Sequence, residues 1–250
     1  VATNPLELVR TAFAGAAAVG LTGMLSPVVA ALTLVDERAP DATIRLWADW
    51  VLKASRVRTQ ARGLEHLPRG NFVLCVNHQS NFDALVLFRH IERHIRFVAK
   101  AQLRKVPLFG FAVERAGNIF VDRTGSDADR ERLKAAVKAV RERVSVVFFA
   151  EGTRSDDGVL RPFKKGAAVM ALEAQVPLVP AAVAGTHRIL QKGTVAIHPH
   201  PAALCIGPPI DTAGLSLDAR DALTERAYAE VARLLEEGNR LVAEMERTGR

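Results

Sequence analysis

A chain of 250 residues, 49% of them hydrophobic, suits one domain with a large core, or one domain with an appendage. Its formal charge of +7 and pI near 9.9 point to an anionic partner such as a membrane surface or a phosphorylated substrate. Aromatics at only 6% and no recognisable nucleic-acid motif argue against nucleic acid as that partner. The two cysteines, Cys75 and Cys205, lie in apolar strand-like runs. They form no disulfide framework and read as buried thiols in a reducing compartment.

The first element is an uncharged stretch from Ala12 to Val35, long enough to span a bilayer. Ser26-Pro27 is a good N-cap and N1 pair, so two helices are expected, Pro5 to Leu25 and Pro27 to Val35. With no small-residue cleavage site after a short apolar core, a secretory signal peptide is not expected. The reading is a helical hairpin embedded in or lying on a membrane, against the alternative of a hairpin buried on the domain. Asp41 then caps a third helix with Ile44, Trp47, Trp50, Val51 and Leu52 at helical spacing and Arg45, Lys53, Arg56, Arg58 and Arg62 on its other face and end. Tryptophan with basic residues suits a membrane interface, and an ordinary amphipathic helix shows the same pattern.

Beyond Gly63, apolar runs at Phe72–Val76, Ile95–Ala99, Ile119–Val121, Ser145–Ala150, Leu178–Ala184 and Ala203–Ile206 read as strands. Helical patterns fall between them at Asp83–Arg93, Asp127–Glu142 and Gly166–Ala174. This alternation predicts an α/β fold with a mostly parallel sheet covered by helices on both faces. Asp218 to Arg247 reads as a long charged helix packed by one face. The expected division is residues 1–60 for membrane association and residues 61–250 for the α/β domain with its C-terminal helix.

The central chemical stretch is Asn77-His78-Gln79-Ser80-Asn81-Phe82-Asp83, a polar link between a buried strand and a helix. An imidazole accepts a proton near neutral pH, and a carboxylate on its other nitrogen fixes the tautomer and stabilises the imidazolium. That is two thirds of a serine-protease triad with no protein nucleophile, so the substrate supplies the hydroxyl. The same residues also spell a capping box, in which Asp83 closes a helix N-terminus. These residues alone leave both readings open.

A second strand ends in Phe149-Ala150-Glu151-Gly152-Thr153-Arg154-Ser155. Glycine admits a ligand close to the backbone, and arginine offers a planar fork to phosphate oxygens. A local turn with Glu151 paired to Arg154 is the competing account. Phe163-Lys164-Lys165-Gly166 brings two more cations to a helix start, either solvated or deepening an anion site. Lys100 and Arg123, each at a strand end, are further candidates; for Arg123, pairing with Asp122 or a surface acid is the competing account. Val176-Pro177-Leu178-Val179-Pro180 either lines a hydrocarbon channel or is core. His90 and His94 are one helical turn apart, but Ile91 stands where a zincin needs Glu, so no catalytic metal is expected.

Taken in order, four blocks resemble the 1-acylglycerol-3-phosphate acyltransferase family of glycerolipid acyltransferases. They are Asn77-His78-Gln79-Ser80 with Asp83; Lys100 through Gly117-Asn118-Ile119-Phe120-Val121-Asp122-Arg123; Phe149 to Ser155; and Val176 to Pro180. The resemblance covers roughly Arg62 to Gly207. Ala150 departs from the usual proline before the Glu-Gly-Thr-Arg run, which alters loop stiffness more than chemistry.

The resemblance implies transfer of an acyl chain from acyl-CoA or acyl carrier protein to the free hydroxyl of a lysophosphatidic acid. His78 would be the general base, oriented by Asp83. Lys100, Arg123, Glu151, Gly152, Thr153 and Arg154 would surround the acceptor phosphate. Backbone amides near Ser80 would serve the oxyanion. No metal or resident cofactor is implied. The expected partners are a lysophospholipid, the acyl donor and a membrane surface, and the expected location is the cytoplasmic face of a bacterial inner membrane. Another acceptor (glycerol 3-phosphate, a lyso-aminolipid or a glycolipid), a thioester hydrolase and a non-catalytic anionic-membrane module are the alternatives.

Overall fold

The computed structural model describes residues 5–100, 114, 117–121 and 127–249. In chain order its elements are α1 (Pro5–Leu32), α2 (Asp41–Ala54), β1 (Thr59–Arg62), β2 (Val73–Val76), α3 (Phe82–His90), β3 (Ile95–Lys100), β4 (Ile119–Val121), α4 (Asp127–Glu142), β5 (Ser145–Phe149), α5 (Gly166–Ala174), β6 (Leu178–Ala184), the single turn α6 (Thr186–Ile189), β7 (Ala202–Ile206) and α7 (Arg220–Thr248).

Among the described residues the strands form one sheet in the order β1-β7-β6-β2-β5-β3-β4. All neighbouring pairs are parallel except β6–β7. Both faces of the sheet are covered, which is why the central strands read as unbroken apolar runs. Phe72, Leu74 and Val76 meet Val51, Leu52, Val86 and Leu87 on the side of α2 and α3. Val73 and Cys75 point the other way, toward Val140, Ala168 and Met170 of α4 and α5. Farther along that second face, Ala182, Ala184 and Cys205 pack against Val231, Leu234 and Leu241 of α7. Both cysteines are free, and burial pushes the Cys75 thiol up to about 12 and the Cys205 thiol to about 11. The Val176–Pro180 run belongs to the core: β6 is buried along its whole length. The carbonyl of Pro180 accepts from Gly207 N at 2.9 Å, just past the end of β7.

The N-terminal expectation needs correction. The two predicted helices are one, because α1 runs through Pro27 without a break. Ser26 does not cap a new helix. Its hydroxyl donates back to the Thr22 carbonyl at 2.6 Å, as the Thr22 hydroxyl does to Ala18, and the fixed φ of proline is itself helical. The segment Thr11–Leu32 is long and apolar enough to cross a membrane, and only 11% of its most apolar window is buried. The helical partner of α1 is α2, to which Trp47 Nε1 ties it by a 3.1 Å hydrogen bond to Thr22 Oγ1. Trp50 is exposed.

Asp41 opens α2 but makes no cap bond. Its carboxylate takes His94 Nδ1 and Arg96 Nη1, each at 2.8 Å, while Arg96 Nη2 donates to the Glu37 carbonyl at 2.9 Å. One acid thus fastens the turn between α1 and α2 to β3. Helix α3 ends at His90 rather than at Arg93, so His90 and His94 do not share a helix face. His90 Nε2 meets Thr59 Oγ1 instead.

Candidate active site

Three adjacent parallel strands, β6, β2 and β5, release their carboxyl ends at one edge of the sheet, the usual position of sites on such sheets. Each end passes into a polar link. Asn77 bolts the first link to β6 by imitating a strand residue: its Nδ2 donates to Val183 O at 2.9 Å and its Oδ1 accepts from Val183 N at 2.8 Å. The backbone then turns so that His78 Nδ1 lies 2.8 Å from Asp83 Oδ2.

Asp83 is fully buried. Its Oδ2 also accepts from Gln79 N at 2.7 Å and Ser80 N at 3.0 Å, and its Oδ1 accepts the Thr186 hydroxyl proton. The two readings of the sequence therefore coexist, since one carboxylate holds the imidazole and closes the first turn of α3. The amides of Gln79 and Ser80 are spent on this carboxylate, so these two are not free to serve an oxyanion.

The His78 side chain keeps 18% of its surface. Its ring stacks on Phe149 with centroids 3.9 Å apart and planes 13° from parallel. Phe149 in turn stacks on Phe97, and Phe97 meets Phe88 edge to face. With Nδ1 turned to Asp83 and one face on Phe149, Nε2 is the nitrogen left for a substrate.

Glu151 is buried and braces this link from β5. It accepts His78 N at 2.5 Å through one oxygen and Arg161 N at 2.9 Å through the other. Burial pushes its carboxyl above the usual range, an effect partly offset by those two amides. The local pair of Glu151 with Arg154, the competing account, is not formed. A second tie joins the links, Ser155 N donating to His78 O at 2.7 Å. Gly152 takes φ of +70°, and a Cβ there would stand 3.0 Å from Lys164 Nζ, so the Lys164 ammonium overhangs the turn. Thr153 is exposed and Arg154 half-buried beside it. Lys100 closes β3, but its side chain and all of Arg123 lie outside the described residues, as do Leu103, Pro107, Gly110 and Asp122.

A third link, Gly185-Thr186-His187-Arg188, follows β6 and is not among the sequence candidates. Gln79 Oε1 lies 3.2 Å from His187 Nδ1, and Gln79 Nε2 donates to Gly158 O at 3.2 Å. Burial, then the nearby Arg188 and His200, hold the His187 imidazole below its ordinary pKa. The signal was present: a buried strand, a glycine and a hydroxyl-imidazole-guanidinium run repeat the pattern of the other two links.

The family model for the acyltransferase domain matches residues 58–184, which include the His78, Asp83 and Glu151–Arg154 stretches. This chain belongs to the acyltransferase family. A Limnanthes alba protein named 1-acyl-sn-glycerol-3-phosphate acyltransferase is 35% identical over 163 residues, covering 65% of this chain and 58% of that one. The human protein named 1-acyl-sn-glycerol-3-phosphate acyltransferase alpha is 34% identical over 173 residues, covering 68% and 61%. This acyltransferase-family chain thus spans less than two thirds of the length of either relative. The crystal structure of PlsC from Thermotoga maritima, titled as a 1-acyl-sn-glycerophosphate (LPA) acyltransferase, has the same fold. It superposes with a TM-score of 0.80 at 24% identity, over 92% of this chain and 95% of the other.

Proposed function

We propose that this protein is a 1-acylglycerol-3-phosphate O-acyltransferase, forming phosphatidic acid from a lysophosphatidic acid and an acyl thioester carried by coenzyme A or acyl carrier protein. The observation that carries the reading is the 2.8 Å contact between His78 Nδ1 and the buried Asp83 carboxylate, with Nε2 left for a hydroxyl. His78 Nε2 takes the proton as the acceptor oxygen attacks the thioester carbonyl. The tetrahedral adduct then collapses with cleavage of the C–S bond, and the departing thiolate recovers the proton from the imidazolium. Asp83 holds the reactive tautomer and offsets the positive charge while it exists. The reaction needs no metal and no resident cofactor.

The acceptor phosphate is placed against Arg154 and Thr153 on the Gly152 turn, with Lys164 above it and Lys100 and Arg123 as further cations. Glu151 contributes by holding the His78 link. An apolar α1 and the net positive charge suit a membrane-bound enzyme whose acceptor and product are lipids, working at the cytoplasmic face of a bacterial inner membrane. The test is acylation of a panel of acceptors by wild type and His78→Ala: lysophosphatidic acid, glycerol 3-phosphate, a lyso-aminolipid and water alone. Turnover of lysophosphatidic acid that His78→Ala abolishes is the expected result. Turnover of another acceptor with lysophosphatidic acid inert overturns the acceptor assignment, and thioester loss without any acceptor makes the protein a hydrolase.

A further inference from the structure

We propose that Thr186 is a positioning residue for acyl transfer, its hydroxyl fixing the Asp83 carboxylate behind His78. The inference rests on the reading of His78 as general base, and Thr186 lies just beyond the residues matched by the family model, 58–184.

Asp83 is enclosed on all sides, and an ionised carboxylate offers about four lone-pair positions. Three donors converge on Oδ2: His78 Nδ1, Gln79 N and Ser80 N. Among the described residues, Oδ1 has one donor, Thr186 Oγ1. Without it, one oxygen of a buried anion has no partner while the other has three, and the carboxylate loses the bond that fixes its rotation about Cβ–Cγ from the Oδ1 side. That rotation carries Oδ2 out of line with Nδ1. Thr186 therefore sets the imidazole through the acid, without touching substrate.

The surroundings leave the Thr186 proton no better acceptor. Gln79 Oε1 is 3.5 Å away and already faces His187 Nδ1, and Gln79 Nε2 is tied to Gly158 O. The hydroxyl is also held in place from its own side. Gly185 takes φ of +87°, and a Cβ there would stand 2.5 Å from Pro201 O, so the turn that delivers Thr186 admits no larger residue. Thr186 itself is fully buried. The other ionisable groups that face the pair are Glu151, through His78 N, and His187, through Gln79.

The decisive variant is Thr186→Val, which keeps the shape and removes the hydroxyl. Thr186→Ser, which keeps the hydroxyl, is its control. Two quantities are read: steady-state acyl transfer to lysophosphatidic acid, and the titration of the His78 ring followed by NMR, with the His78 signal assigned by its loss in His78→Gln. Losing a hydrogen bond to a charged group lowers kcat about tenfold, while KM for the acceptor stays within about twofold. With Oδ2 turned out of line with Nδ1 the imidazolium loses part of its counter-ion's hold, so the His78 titration and the acid limb of kcat/KM both move to lower pH. Thr186→Ser recovers most of the rate and the wild-type titration. An unmoved His78 titration in Thr186→Val overturns the proposal, as does a Thr186→Ser variant as impaired as Thr186→Val. Wild-type protein inert toward every acceptor defeats the acyl-transfer reading instead, and the ring titration still decides whether Thr186 governs the pair.

Discussion

Replacing Asp83 by asparagine separates its two tasks. Asparagine is isosteric, and its carbonyl oxygen can keep the bonds from Gln79 N and Ser80 N, so the first turn of α3 survives. Its amide nitrogen then falls to the Thr186 side, where the hydroxyl oxygen can accept. What is lost is the negative charge facing His78 when the ring becomes cationic. Asp83 is fully buried and His78 partly so. At an effective dielectric constant near 20, unit charges about 4 Å apart attract by about 4 kcal/mol, which is roughly a thousandfold in rate. The assay is release of free thiol from an acyl thioester in the presence of lysophosphatidic acid, with thermal unfolding measured in parallel. Asp83→Asn is expected to lose about a thousandfold in kcat with little change in melting temperature. Asp83→Ala strands two buried amides and loses stability as well, by about 2–4 kcal/mol. An Asp83→Asn variant within about tenfold of wild-type kcat refutes the assignment of Asp83 as the partner of a transient imidazolium.

His78→Ala lowers turnover at least about a hundredfold and leaves vesicle binding and unfolding temperature near wild type, as checked by liposome flotation and calorimetry. Asp41→Asn leaves the Arg96 guanidinium buried without its counter-ion and costs about 3 kcal/mol at neutral pH, measured by denaturant unfolding. Burial alone would raise the Asp41 pKa, but His94 and Arg96 outweigh it and hold the carboxyl below its ordinary 3.8. Its stabilisation is therefore present above that value and fades as pH falls through the lower, folded-state pKa. A gap between variant and wild type that persists unchanged at pH about 2 contradicts this. Gly158→Ala meets the His187 ring, 2.7 Å from the new Cβ, at φ of +77°, so it displaces His187 and, through it, Gln79. The backbone conformation alone costs about 1–2 kcal/mol, visible as a lower melting temperature, and a variant as stable as wild type would show that the turn relaxes freely.

The parts of the fold legible in the sequence are those whose surroundings are uniform. Strands β2, β5 and β6 are covered on both faces and read as apolar runs. Strand β1, Thr-Gln-Ala-Arg, pairs among the described residues only with β7 at the sheet edge and is half-exposed, so its residues carry no strand signal. The Ser26-Pro27 break failed for a local reason: a serine hydroxyl can donate to the preceding turn as readily as it can cap the next one. At the site, His78 and Asp83 were legible because five positions separate them. The hydrogen bonds of Glu151 were not, because a carboxylate that accepts two backbone amides from distant links looks, in sequence, the same as one that faces a ligand. Thr186 stands 103 positions from Asp83, and only the parallel pairing of β2 with β6 brings the two together.

The clasp formed by Asp41, His94 and Arg96 bears on how the apolar α1 is carried. Arg96 is nearly inaccessible to water, and its guanidinium reaches both the start of α2 and the Glu37 carbonyl in the connection from α1. Swinging that helix pair outward would expose a cation stripped of its partners to an apolar interior, so the pair behaves as a rigid outrigger and not as a tether on a swivel. The next residue, Phe97, stacks on the ring that supports His78. The height of the imidazole above any surface that α1 enters is then set by the protein's own framework, and not by how far a linker happens to stretch.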